Sequence, residues 1–302
     1  MVERKKQHFI PAGYLSSWCD PDTPQGQKPY VWLFESSSRD GRPKAPRNIF
    51  SEPDFYTETA PAGTRDLGLE DFLGRLESQF AHLMRSKIEP RKELDAAQHS
   101  LLCVFCAAMH ARTRAMREHT REQWSSILAT GEKIEQWAQT ASPEQLNALR
   151  PVFPPRATEE SVMSLDDIRG VVNFPAQTAL RLMVSSESPI LARMDMSILC
   201  TADDLGFITS DHPCLWYDPS LATAPPALQI PALRSRTIEI TLPLSPRHVL
   251  LLNWRGVSGY RDVAQGVADR LNWMRWSQCE AHYVVRRNQV RDSWFSGKTF
   301  WC

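Results

Sequence analysis

The hydrophobic period changes twice along this chain, and those changes confine what it can fold into. From Leu69 the apolar residues recur at helical spacing, first in LEDFLGRLESQFAHLMRSKI and then in LDAAQHSLLCVFCAAMHARTRAMREHTREQWSSIL, with Pro90 breaking the run between them. GEKIEQWAQT and the stretch from Ser164 to Val184 extend the helical reading, and PVFPPRA separates them as a connector. On either side the texture is β. YVWLFE alternates as a strand does near the start, and MSILCTA, GFITSD, TIEITLPLS and HVLLLNW read as neighbouring antiparallel strands near the end. A last helix from about Asp262 to Glu280 and a last strand, HYVVRR, close the pattern. The expectation is an α+β fold: an antiparallel sheet drawn from both ends of the chain, packed on a central, mostly helical block. With 302 residues, one domain is expected, divided into a β-rich entry (1–65), a helical block (66–190) and a β-rich region with a closing helix and strand (191–302).

Charge limits how a polyanion could bind. Lys and Arg total 35 against 35 Asp and Glu, so no global field draws the chain to polyanions, and any such site is a local patch. The start, MVERKKQHFIP, lacks the apolar core of a secretory signal, and no stretch reads as membrane-spanning, so no membrane partner and a cytoplasmic location are expected. Seven scattered cysteines suit free thiols.

Several residue types stand where chemistry would need them. In FITSDHP, Ser210 and Asp211 end a β-run before a proline that excludes helix at His212, so Asp211 is held in a fixed conformation. Asp211 is therefore a candidate base and metal ligand and Ser210 a candidate substrate contact, although a turn in which both bond their own backbone explains the same residues. His8 precedes apolar Phe9-Ile10 where a strand enters the core, and Gln7 beside it can orient the ring or a substrate oxygen. Glu70 and Glu77 share a helix face two turns apart, about 10 Å, and flank a site rather than chelate one ion. Together Asp211, Glu70 and Glu77 form the oxygen-rich set that magnesium, manganese or zinc would want, and Glu77 is also a catalytic candidate. Each glutamate alone is more simply read as the polar face of an amphipathic helix. Arg112 and Arg114 head an arginine cluster in MHARTRAMREH suited to holding phosphate. Arg114 and His119 also share the spacing of helical ribonucleases, while a solvated helix end explains the same cluster. Cys103, Cys106 and His110 share a helix face and read either as soft metal ligands or as a packed core stripe. From Arg270 to Cys302, arginines interleave with aromatics as single-stranded nucleic acid or nucleotides would require.

KKQHFIPAGYL, EPDFYT, Glu70 with Glu77, FITSDHP, LPLSP and LNWM in combination resemble the bacterial domain of unknown function 4238 family. The resemblance spans most of the chain and implies a single fold without naming an activity. The chain departs from that pattern at Arg114, where a proline is common, and at His212, where a small amide is frequent.

The reading that uses most of these residues is a hydrolase acting on a phosphodiester or nucleotide, nuclease-like, in keeping with a toxin or defence effector. His8, Asp211 and Glu77 would carry the chemistry, Gln7, Arg112, Arg114 and Ser210 would hold substrate, and a divalent metal would assist. The alternative is a non-catalytic binding or regulatory module in which the Gln-His and Ser-Asp motifs are structural pins. One spatial fact separates them: whether His8, a glutamate, Arg112 and Asp211 meet in one pocket.

Overall fold

The computed structural model describes residues 6–59, 65–149, 163–221, 223–225 and 230–296. The first region forms β1 (Lys6–His8), the short helix α1 (Ala12–Leu15), β2 (Val31–Glu35), β3 (Arg42–Lys44), β4 (Ser51–Pro53) and a small hairpin of β5 (Glu58–Thr59) with β6 (Arg65–Asp66). β1 pairs antiparallel with β4, setting Gln7 opposite Glu52. Phe50 and Asp54, which flank β4, both hold φ near +50°. That left-handed conformation strains non-glycine residues and is retained where the surroundings over-determine it.

The helical block begins with α2 (Gly68–Leu83), which buries Leu73, Leu76, Phe80 and Leu83 on one face. A π-turn over Met84–Ile88 ends it just before Pro90. Next come α3 (Ala96–Ala111) and α4 (Arg114–Thr140). The long helical pattern is therefore two helices. Asp95 starts α3 through a reciprocal capping box with Gln98, Arg112 leaves helical geometry at φ −89°, ψ 14°, and the Thr113 side chain accepts from the Met116 amide to start α4. GEKIEQWAQT continues α4 rather than forming its own helix. After α5 (Pro143–Leu149), the Ser164–Val184 stretch also divides, into α6 (Leu165–Asn173), capped by Ser164, and α7 (Pro175–Leu191), opened by Pro175. PVFPPRA lies outside the described residues.

The last region supplies β7 (Asp195–Cys200), β8 (Thr209–Ser210), β9 (Leu215–Tyr217), β10 (Glu239–Ser245), β11 (His248–Asn253), β12 (Gly259–Asp262), α8 (Gln265–Ser277) and β13 (His282–Val285). Two larger sheets result. One has the order β12-β7-β11-β10-β9 and comes entirely from this region, with β12 parallel to β7. The other, β3-β2-β13-β8, joins strands from both ends of the chain. The fold is α+β as expected, with the sheet divided in two. β8, in GFITSD, is the strand misplaced by a purely sequential reading: it leaves β7, β10 and β11 and pairs with β13.

One apolar cluster draws on all three regions, from Phe9 and Leu15 through Phe80 and Phe105 to Leu250 and Val284. Within it Phe80 and Phe105 stack at 3.9 Å. The N-terminal segment is also tied down by polar bonds, Tyr14 Oη donating to the Pro243 carbonyl (2.7 Å) and Trp18 Nε1 to that of Phe207 (2.8 Å). Such bonds anchor the segment that follows β1, and a bond from Gln7 to Glu70 sets β1 against α2, a placement that builds the site. Among the described residues no helix is long and apolar enough to cross a membrane.

Candidate functional site

A cavity of about 210 Å³ lies where β1, α2 and the α3–α4 break meet, lined among others by Lys6, Gln7, His8, Tyr56, Glu70, Glu77 and Arg112. Three segments distant in sequence thus put five of the candidate residues around one polar hollow. Of three larger hollows, those of about 360 Å³ beside Met196 and Tyr260 and about 650 Å³ beside Arg193 and Trp254 contain none of them, and one of about 520 Å³ along α2 takes in Glu70 alone. Chemistry rather than size locates the site.

Gln7 is buried and fully engaged. Its Nε2 donates to Thr57 Oγ1 (2.9 Å) and Glu70 Oε2 (2.8 Å), and its Oε1 accepts from the Tyr56 amide (2.6 Å). It therefore positions Glu70 and the Tyr56 segment. Arg112 holds the opposite wall: Nε donates to Tyr56 Oη (3.2 Å), Nη1 to Glu77 Oε1 (2.8 Å) and Nη2 to the His8 carbonyl (2.7 Å). Burial works against the Arg112 charge, yet Tyr56 and Glu77 hold it above the ordinary guanidinium value. This cation stands at the break between two helices and is buried, so the solvated-helix-end reading fails for it.

His8 is the titratable group best set for proton transfer. Burial lowers its pKa, outweighing the bond to the Arg47 carbonyl, so the ring is neutral near pH 7. Nε2 lies 3.1 Å from that carbonyl, which can only accept, so Nε2 carries the proton and Nδ1 keeps a lone pair. A neutral imidazole in that tautomer can take a proton at Nδ1. Glu77 keeps 29% of its side-chain surface exposed while paired to the 2%-exposed Arg112, so it faces the hollow from an anchored position.

Asp211 and Ser210 are elsewhere. The Asp211 carboxylate accepts the amides of Glu280 (2.9 Å), Ala281 (2.7 Å) and His282 (2.8 Å), closing the turn between α8 and β13. Ser210 Oγ donates to the His212 carbonyl and accepts from the His212 amide. Both residues are buried and bonded to main chain, so the Ser-Asp corner is a structural pin, and Asp211 does not join Glu70 and Glu77. Among the described residues no three His, Cys, Asp or Glu side chains converge as a ready metal site. Arg114 is likewise outside the cavity: with Arg117 it grips the Glu52 carboxylate, and its guanidinium lies 4.9 Å from the Phe9 ring centre. His119 is exposed on α4 and does not line the cavity, so the ribonuclease-like spacing builds no site there.

Within the cationic C-terminal stretch two arginines are neutralised by carboxylates. Arg287 pairs with Asp22 and Asp204, Arg291 with Asp203 and Asp269, and Trp294 is fully buried. Lys298, Phe300 and Trp301 lie outside the described residues. Two lining residues escaped the sequence reading, Lys6 and Tyr56. Both sit inside the quoted motifs KKQHFIP and EPDFYT, so adjacency to Gln7 and to the β4 segment was the available signal.

The chain belongs to the family described as protein of unknown function (DUF4238), whose model matches residues 6–289. No curated protein and no solved structure matches the chain.

Proposed function

We propose that the Gln7–His8–Glu70–Glu77–Arg112 cavity is the active centre of a hydrolase acting on a phosphodiester or nucleotide. The observation that carries this reading is the meeting of a neutral histidine, two carboxylates, a lysine and a buried arginine in one small polar hollow. His8 Nδ1 takes a proton from the attacking water. Lys6 and Arg112 offset charge on phosphate oxygens, Arg112 having three of its five N–H groups committed to the protein. Glu70 and Glu77 flank the hollow from positions two helical turns apart, so one of them rather than both would hold a magnesium or manganese ion, which is commonly bound by one or two carboxylates. Such an ion supplies Lewis-acid polarisation of the phosphoryl group. The cavity volume suits one phosphoryl group with part of a nucleotide, and a nucleotide or a single strand end fits better than a duplex.

The test is incubation of the purified protein with mononucleotides, dinucleotides, RNA and single-stranded DNA, with magnesium, manganese or zinc and with chelator. Cleavage that is lost in His8→Ala and Glu77→Gln but kept in Asp211→Asn supports the reading. Intact substrates under every metal would overturn it. A second reading, a non-catalytic binding module, is favoured by one specific observation: Gln7 and Asp211 are each bonded through all their polar side-chain atoms to protein groups. Nucleotide binding by calorimetry without turnover would select it.

A further inference from the structure

A second polar cluster lies in the core, on residues the proposed hydrolysis does not use. Cys106 on α3 and Cys214 ahead of β9 are fully buried, with their sulfurs 3.6 Å apart and sharing a hydrogen bond. A shift of about 1.5 Å brings two such sulfurs to bonding distance. Beside them His110 is held through Nδ1 by both carboxylate oxygens of Glu187 (3.2 Å each) and stacks on Trp216 at 4.5 Å. Arg275 completes the group. It is buried, donates to the Pro213 carbonyl and to Thr241, and has no bonded carboxylate among the described residues, while its Nε has no partner there. A buried cation without a counter-charge is costly, and the ionisable groups beside it are the Tyr14 hydroxyl, which burial keeps protonated, and the two thiols.

We infer that Cys214 and Cys106 form a reactive dithiol, with Cys214 the attacking thiolate toward a small hydroperoxide and Cys106 the resolving thiol. The two sulfurs are not equivalent. The hydrogen bond from Cys106, aided by His110 and Arg275, draws the Cys214 thiol below its ordinary value despite burial, and the same bond together with burial pushes Cys106 up. The atoms balance as follows. His110 takes the Cys214 proton, the thiolate attacks the peroxide and the O–O bond breaks. Cys214 becomes a sulfenic acid, and the alkoxide leaves as alcohol with the proton from His110. Cys106 then attacks the Cys214 sulfur, an S–S bond forms, the S–O bond breaks, and hydroxide departs as water with the Cys106 proton. Two thiols and one hydroperoxide give a disulfide, an alcohol and water. The product would tie α3 to the segment before β9.

Treating the full chain with hydrogen peroxide or tert-butyl hydroperoxide, followed by peptide mapping, tests this without any variant. The expected result is a 106–214 cross-linked peptide lighter by two hydrogens, formed ahead of oxidation at the half-buried Cys19 and Cys279, and reversed by dithiothreitol. Glu187→Gln, which loosens His110 and leaves both thiols in place, should slow cross-linking by about tenfold. Cys106→Ser should stop at the sulfenic acid, trapped by a dimedone probe, and Cys214→Ser should abolish probe labelling at this site, with circular dichroism verifying that each variant folds. A pair that stays reduced while Cys19 or Cys279 oxidises, or Cys214→Ser protein labelled at Cys106 as fast as the parent at Cys214, would overturn the inference.

Discussion

The Gln-His corner on β1 and the Ser-Asp corner after β8 resemble each other in sequence, each a short polar pair set against apolar residues and a proline. Their surroundings make them opposites. At the first, Gln7 and Arg112 spend their hydrogen bonds positioning other side chains, and His8, Glu70 and Glu77 face a hollow. At the second, every carboxylate bond from Asp211 goes to backbone, and nothing is left to meet a ligand. A polar residue between apolar neighbours must find partners. Whether those partners are main chain or other side chains around a cavity decides if the residue can do chemistry.

The contrast is broken most directly at Asp211. Replacing Asp211 with Ala leaves three main-chain amides without the buried carboxylate that accepts them, and we expect a loss of about 3 kcal/mol in a denaturant melt, with Asp211→Asn recovering part of it. An unchanged melt with lost activity would reverse the roles assigned to the two corners. At the other corner, His8→Ala should leave stability within about 1 kcal/mol while hydrolysis falls by at least about a hundredfold, as expected for a lost general base. Activity should persist below the ordinary histidine value of 6.5 and fail only as His8 gains its proton, because burial lowers its pKa.

Acid sharpens the comparison next. His212, in the Ser-Asp corner, is lowered to about 4 by burial, with His110 and Arg275 adding to the effect. Between about pH 4 and 6.5 it binds fewer protons folded than unfolded, so stability falls as pH drops through that window, by about 3 kcal/mol. His248, also lowered to about 4, acts in the same direction. A pH series of melts on His212→Asn should show a flatter acid limb than the parent, and an identical slope would remove His212 as the cause. The smallest effect is at Gly74 in the cavity wall, where an added Cβ meets nothing within 4 Å. Gly74→Ala should stabilise α2 by about 1 kcal/mol, whereas Gly74→Phe should fill the hollow and stop turnover without lowering the melting temperature. Retained turnover in Gly74→Phe would move the active centre elsewhere.

Much of the fold was legible because periodicity is local. The 3.6-residue spacing over α2, α3, α4 and α7, and the strands β2, β7, β10 and β11, follow from side chains that bury one face. The break at Arg112-Thr113 was hidden inside a continuous helical pattern, since a threonine cap and a buried arginine look like ordinary surface residues of a longer helix. β8 was placed in the wrong sheet because alternation announces a strand and says nothing of its partner. At the site, residue type singled out His8, Gln7, Glu70, Glu77 and Arg112, which line one cavity, with no more force than Asp211, Ser210 and Arg114, which do not.

The order of residues by itself determined the α+β class, the membership of the family and the set of polar side chains that had to find partners, because burial patterns and motif chemistry act over a few residues. Only tertiary structure decided which partners they found. Hydrogen-bond saturation depends on groups far away in the chain, such as Tyr56, 49 positions from Gln7, and the His8 carbonyl, 104 positions from Arg112, and no local pattern carries that information.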